Sequence, residues 1–91
     1  MYAVVVREEG DPDTITGSGE HLAENVLPRT RQAGGIVSAL WMTDRSGGAL
    51  NVLVFEDESS ARAALAPVER APRPASMSVQ SVELFQVLAR F

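Results

Sequence analysis

The alternation of apolar and polar positions divides the chain into two strand–helix halves around a hairpin. Tyr2 to Glu8 carries three consecutive valines after Tyr2 and Ala3, so a strand here is apolar on both faces and needs cover on both. Further on, Ile15, Gly19, Leu22, Val26 and Ala33 follow one another at steps of four, three, four and seven. That is the period of a helix with one buried stripe, and it predicts a helix from Pro12 to Ala33. Asp11 is its N-cap candidate, Pro12 takes the first helical position, and Asp13 complements the positive helix end. Gly17-Ser18-Gly19 supports a rival reading, with Glu9 to Gly17 as a loop and Ser18 as the cap. Pro28 removes a backbone donor and predicts a kink near Glu24 to Leu27, and Gly34-Gly35 supplies a left-handed helix end.

The hairpin follows, with strands Ile36 to Thr43 and Ala49 to Glu56 around Asp44, Arg45, Ser46, Gly47 and Gly48. Its register is open. If Asp44 pairs with Ala49, Trp41 lies beside Val52 and away from Asn51; one residue off, Trp41 and Asn51 share a face. Asp57 then caps a second helix with the stripe Ala61, Ala64, Leu65 and Val68, which Pro67 is expected to end or restart. Arg70 to Ser78 has no period and reads as a connection, and Val79 to Phe91 reads as a last strand long enough to reach beyond its own sheet.

The order β-α-β-β-α-β predicts an α+β fold of the ferredoxin-like kind, one domain over residues 1–91, with an antiparallel sheet and both helices on one face. The other face stays apolar. A large apolar sheet face implies a partner, and two such sheets related by a two-fold axis would form a homodimeric α/β barrel. Length points the same way, because a chain of 91 residues buries only about two-thirds of its unfolded surface and gains core from a second copy.

Composition narrows the chemistry. The chain is 45% hydrophobic and 22% charged, which is globular, with a net charge of −4. All its basic residues are Arg, spread from Arg7 to Arg90 without the stripe a phosphate backbone requires, so nucleic acid is set aside. Absence of cysteine removes disulfides, thiolate nucleophiles and Cys-based zinc sites; with His21 as the one histidine, neither metal nor cofactor is expected. MYAVVVREEG has about five apolar residues before charge appears, too few for a signal or a membrane span, and the expectation is a cytoplasmic domain without membrane contact.

GDPD from Gly10, VLP at Val26 to Pro28, the turn DRSGGAL and the run LVFEDESSARAAL together resemble the antibiotic-biosynthesis-monooxygenase-like branch of the dimeric α/β barrel superfamily. The resemblance spans nearly the whole chain. It implies a dimeric barrel with a pocket between sheet and helices in each subunit, in a family that includes cofactor-independent oxygenases of aromatic polyketides and haem-degrading enzymes. The Asn, Trp and His constellation of the haem enzymes is not matched, since Trp41 falls in the second strand and His21 in the first helix.

Five positions could build a site. His21 and Asn25, four apart, could face a pocket as a base and its hydrogen-bonding neighbour, or lie on an exposed helix flank, the commoner situation. Trp41 could wall an aromatic ligand or fill core or interface. Asn51, an amide in an apolar strand, could orient a substrate oxygen or pair with a neighbour such as Ser38. Phe55 would complete an apolar wall, while Arg7 and Glu83 are either inward charges or guards of a strand edge. Met42 and Met77 read as lining or core, and Gly17-Ser18-Gly19 is no phosphate loop because no Lys follows. Two functions follow: a homodimer that binds a small apolar or aromatic molecule, or a cofactor-independent monooxygenase in which His21 or Asn51 assists proton removal. No two titratable groups are visibly arranged to displace each other's pKa, which tilts the reading toward binding. An open cavity of about 300 Å³ reached by His21 or Asn51 would tilt it back.

Overall fold

Val4 and Val6 are fully buried on one face of strand β1 (Tyr2–Glu9), while Val5 on the other face is only half-buried, so the single chain supplies one of the two covers that the run of valines calls for. A computed structural model describes residues 1–91. Its sheet contains β1, β2 (Ile36–Thr43), β3 (Gly48–Phe55) and β4 (Ser78–Gln86), antiparallel throughout, in the order β2-β3-β1-β4. With a helical layer between β1 and β2 and helix α4 (Glu58–Arg70) between β3 and β4, this is the ferredoxin-like α+β arrangement predicted from the sequence. No helix is long and apolar enough to cross a membrane.

One sheet face carries the core. Val4, Val6, Leu53 and Phe55 meet Ala61 of α4, and Tyr2, Ile36, Ala39, Leu65, Val82 and Leu84 close around them. Helix α4 lies across β4, β1 and β3. It starts where expected, with the Asp57 carboxylate accepting from the Ser60 N–H at 2.7 Å. Contrary to expectation it neither ends nor restarts at Pro67 but runs through it to Arg70. Pro67 donates nothing to the Ala63 carbonyl and the helix continues past it, and at the helix end the guanidinium of Arg73 takes up the carbonyls of Val68 (2.8 Å), Glu69 (3.2 Å) and Ala71 (2.8 Å).

The first helical layer is more broken than its stripe suggests. It consists of α1 (Pro12–Thr16), α2 (Gly19–His21), a π-helical turn (Leu22–Val26) and α3 (Leu27–Thr30). Asp11 caps α1 as predicted, accepting from the Thr14 N–H at 2.9 Å. Ser18, the rival cap, instead donates its hydroxyl to the Ile15 carbonyl at 2.6 Å. The kink anticipated from Pro28 takes the form of the π turn. Pro28 cannot donate to the Glu24 carbonyl and its ring crowds that oxygen, so the helix accommodates an extra residue before it. The layer packs mainly on itself and covers the sheet thinly. Gly35 then reverses the chain at φ 76°, where any Cβ would strike Ser60.

The last strand is shorter than predicted and ends at Gln86. Its partner β1 begins at Tyr2, which pairs with Gln86, and just past the strand Val87 donates to the Met1 carbonyl at 2.9 Å. Leu88 and Phe91 beyond it are fully exposed.

Asp57, Asp11 and Asp44 each accept backbone N–H groups, and these bonds hold all three carboxyls below the usual Asp value. Their contribution to stability is therefore complete above about pH 4, where the unfolded chain's Asp residues are also ionised, and is lost as pH falls through the lower folded values. Thermal midpoints measured from pH 6 to pH 3 should fall on the acid side, and Asp57→Ala should lower the neutral midpoint while flattening that fall.

Candidate functional site

The turn between β2 and β3 settles which residues share a face. Asp44 Oδ1 accepts from the Ser46 N–H at 2.8 Å and the Gly48 N–H at 2.9 Å, while the Thr43 hydroxyl donates to the Gly48 carbonyl at 3.0 Å. Arg45 at φ 67° and Gly47 at φ 101° supply the left-handed steps. The resulting register sets Thr43 opposite Ala49 and Trp41 opposite Asn51. Directly opposed residues of an antiparallel pair point to the same side, so Trp41 and Asn51 are neighbours.

Their side is the helix-covered one, since Asn51 alternates with the core residues Leu53 and Phe55 along β3. Both are half-buried. Phe55 lies deeper, 1% exposed in the core, and takes no part in the surface that Trp41 and Asn51 present. His21 and Asn25 are also brought together, with 3.2 Å between His21 Nδ1 and Asn25 Nδ2, but both are exposed and no hydrogen bond links them to Trp41 or Asn51.

Asn51 has a partner other than Ser38. Its Nδ2 donates to Glu8 Oε1 at 2.5 Å, and Glu8 Oε2 receives Arg73 Nε at 2.5 Å. Glu8 is 6% exposed, the one charged residue in the interior. It continues the inward positions Tyr2, Val4 and Val6, and β1 pairs Val6 with Asn51, so Glu8 sits diagonally beside the amide. Neither Glu8 nor Arg73 stands out as a site residue in the sequence. The available signal was that the fourth inward position of a buried strand is a carboxylate, which burial obliges to find a cation.

Arg7 and Glu83 pair with each other on the opposite face, Nε to Oε1 at 3.3 Å, with both side chains substantially exposed. Around them that face is apolar: Leu40, Met42 and Phe85 are exposed, and Val5, Leu50, Val52 and Val54 are half-buried. Two open depressions, about 510 and 410 Å³, lie at the turn end of the sheet. The larger has no apolar lining residue, and neither includes Trp41, Asn51, His21 or Asn25. No three His, Asp or Glu side chains converge on a common point. Tyr2 and Glu58 interact at the far end of β1, where the carboxylate raises the phenol's pKa and Arg62, with Tyr2 second, lowers that of Glu58.

No family model matches the sequence, and no curated protein matches it. Solved structures do match along nearly its whole length. A monooxygenase from Streptomyces coelicolor, ActVA-Orf6, crystallised with nanaomycin D, superimposes with a TM-score of 0.67 at 18% identity, covering 99% of this chain and 89% of its own. SnoaB, a cofactor-independent oxygenase from Streptomyces nogalater, gives 0.65 at 18% identity, covering 98% and 95%. A protein of unknown function from Nitrosomonas europaea gives 0.63 at 19% identity, covering 99% and 91%. The chain thus has the fold of the antibiotic-biosynthesis-monooxygenase-like proteins, and identities this low carry the likeness no further than the fold.

Removing Arg73 would leave a buried carboxylate without its cation. Arg73→Ala should cost about 3 kcal/mol in chemical denaturation. Replacing both partners, Glu8→Leu with Arg73→Met, should recover part of that loss by removing the uncompensated charge.

Proposed function

We propose that the protein is a homodimer that binds a small, largely apolar aromatic molecule against Trp41 and Asn51, on the side of the sheet covered by the first helical layer. The shared face of these two residues carries the reading, because it joins a flat apolar surface to a polar group able to orient a ligand. The thin cover from the helical layer supports it, since a ligand there would displace little packing.

The dimer reading stands on the opposite face. Only 9 of 91 residues are buried, so the single chain has a thin core, while Leu40, Met42 and Phe85 lie exposed across one sheet face. Sheet-to-sheet association through a two-fold axis would bury that band and enclose the Arg7–Glu83 pair at its margin. Sedimentation at micromolar concentration should give twice the 9.8 kDa chain mass, and Leu40→Arg, at a position 60% exposed, should give the monomer with its fold intact. A monomeric mass for the unaltered protein refutes the dimer.

Trp41 is the sole tryptophan and reports directly on its own surroundings. Its fluorescence should be quenched or shifted on titration with hydroxynaphthalenes, Asn51→Leu should weaken their binding several-fold by the same readout, and Trp41→Phe should do so when binding is followed calorimetrically. Unchanged emission across such a series contradicts the ligand reading. The oxygenase alternative, with His21 or Asn51 assisting proton removal, draws on the monooxygenases among the structural neighbours. Dissolved oxygen followed in the same titrations separates the two readings, since only turnover consumes it.

A further inference from the structure

Asn51 carries one donor group and one acceptor group at its end, and which of them a ligand meets decides what that ligand must offer. The orientation is fixed from behind. Glu8, ion-paired to Arg73 through Oε2, presents Oε1 to Asn51, and a carboxylate in an ion pair only accepts. The atom 2.5 Å from Oε1 must therefore be Nδ2, which leaves Oδ1 on the other side of the amide. No protein group donates to Oδ1, yet no buried side-chain polar atom in the chain lacks a partner. Oδ1 is thus open to solvent, beside the indole of Trp41 across the ladder.

We infer that Glu8 and Arg73 are positioning residues that lock the Asn51 amide so that its carbonyl oxygen faces the site, which therefore selects aromatic ligands bearing a hydrogen-bond-donating hydroxyl. Arg73 is itself held by the carbonyls of Val68, Glu69 and Ala71, so the lock is referred to the end of α4 and cannot rotate freely. An ether or a quinone oxygen, which can only accept, would meet another acceptor. The inference rests on the ligand reading above and goes beyond it by fixing the polarity of the ligand.

The test compares 1-naphthol with 1-methoxynaphthalene by Trp41 fluorescence. The two share the ring and the oxygen, and only the first can donate. The unaltered protein should bind 1-naphthol about tenfold more tightly, the worth of one hydrogen bond. Glu8→Gln should bring the ratio close to one, because Arg73 keeps the carboxamide oxygen, the NH2 group then faces Asn51 Oδ1, and Asn51 turns Nδ2 to the ligand, a donor that hydroxyl and ether oxygens both accept. Asn51→Leu removes the acceptor without involving Arg73, should also abolish the preference, and decides the matter if Glu8→Gln does not fold. Binding of both probes with equal affinity by the unaltered protein overturns the inference and leaves the ligand reading standing. A preference that persists in Glu8→Gln or in Asn51→Leu also overturns it. Binding of neither probe defeats both readings.

Discussion

One carboxylate fixes how β2 lies against β3, and most of what the two sheet faces can do follows from it. Asp44 accepts from Ser46 and Gly48, and that closure leaves Trp41 opposite Asn51 and Leu40 opposite Val52. Shifted by one residue, the hairpin would set Trp41 against Val52, and Asn51 would no longer be its neighbour. The observed register sorts the hairpin cleanly. Its polar amide and indole go under the helices, and Leu40, Met42, Leu50, Val52 and Val54 go to the open side. The turn is held in turn by the rest of the chain, since the Gly10 N–H donates to the Gly47 carbonyl at 2.9 Å and a Cβ on Gly47 would collide with the Gly10 carbonyl.

The polar end of the core rests on a second pairing, that of β1 with β3, which sets Val6 opposite Asn51. Glu8 is buried because β1 runs on inward past Val6, and it is compensated because Arg73 returns from beyond α4 while Asn51 approaches from β3. One carboxylate thereby ties together β1, β3 and the connection after α4. Such a junction contributes less to net stability than its short contacts suggest, since desolvation offsets much of the attraction, but it penalises any arrangement in which one partner is missing. The two sheet faces consequently have different characters, one with a specified polar group beside an aromatic wall and one with an apolar band and a single exposed ion pair.

The fold was legible in the sequence where a local rule acts alone. The valine run, the Asp11 and Asp57 caps and the Gly-rich turn produce the elements their residue types dictate. Departures occur where tertiary context competes. Helix α4 continues through Pro67 to an end whose carbonyls Arg73 takes up, the final strand stops at Gln86 opposite Tyr2, and Pro28 yields a π turn where the pattern alone gives a kink. Trp41 and Asn51 were identifiable as candidates, but their relation was not, because a hairpin's register depends on which turn residue accepts which N–H. Glu8 and Arg73 are 65 residues apart, and no local pattern in the sequence connects them.

The β2–β3 register is the claim on which the site beside Trp41 and the open face both rest. Cross-strand nuclear Overhauser contacts in the isotopically labelled protein measure it directly. The account predicts contacts that pair Trp41 with Asn51 and Thr43 with Ala49. A ladder that pairs Trp41 with Val52 would contradict it.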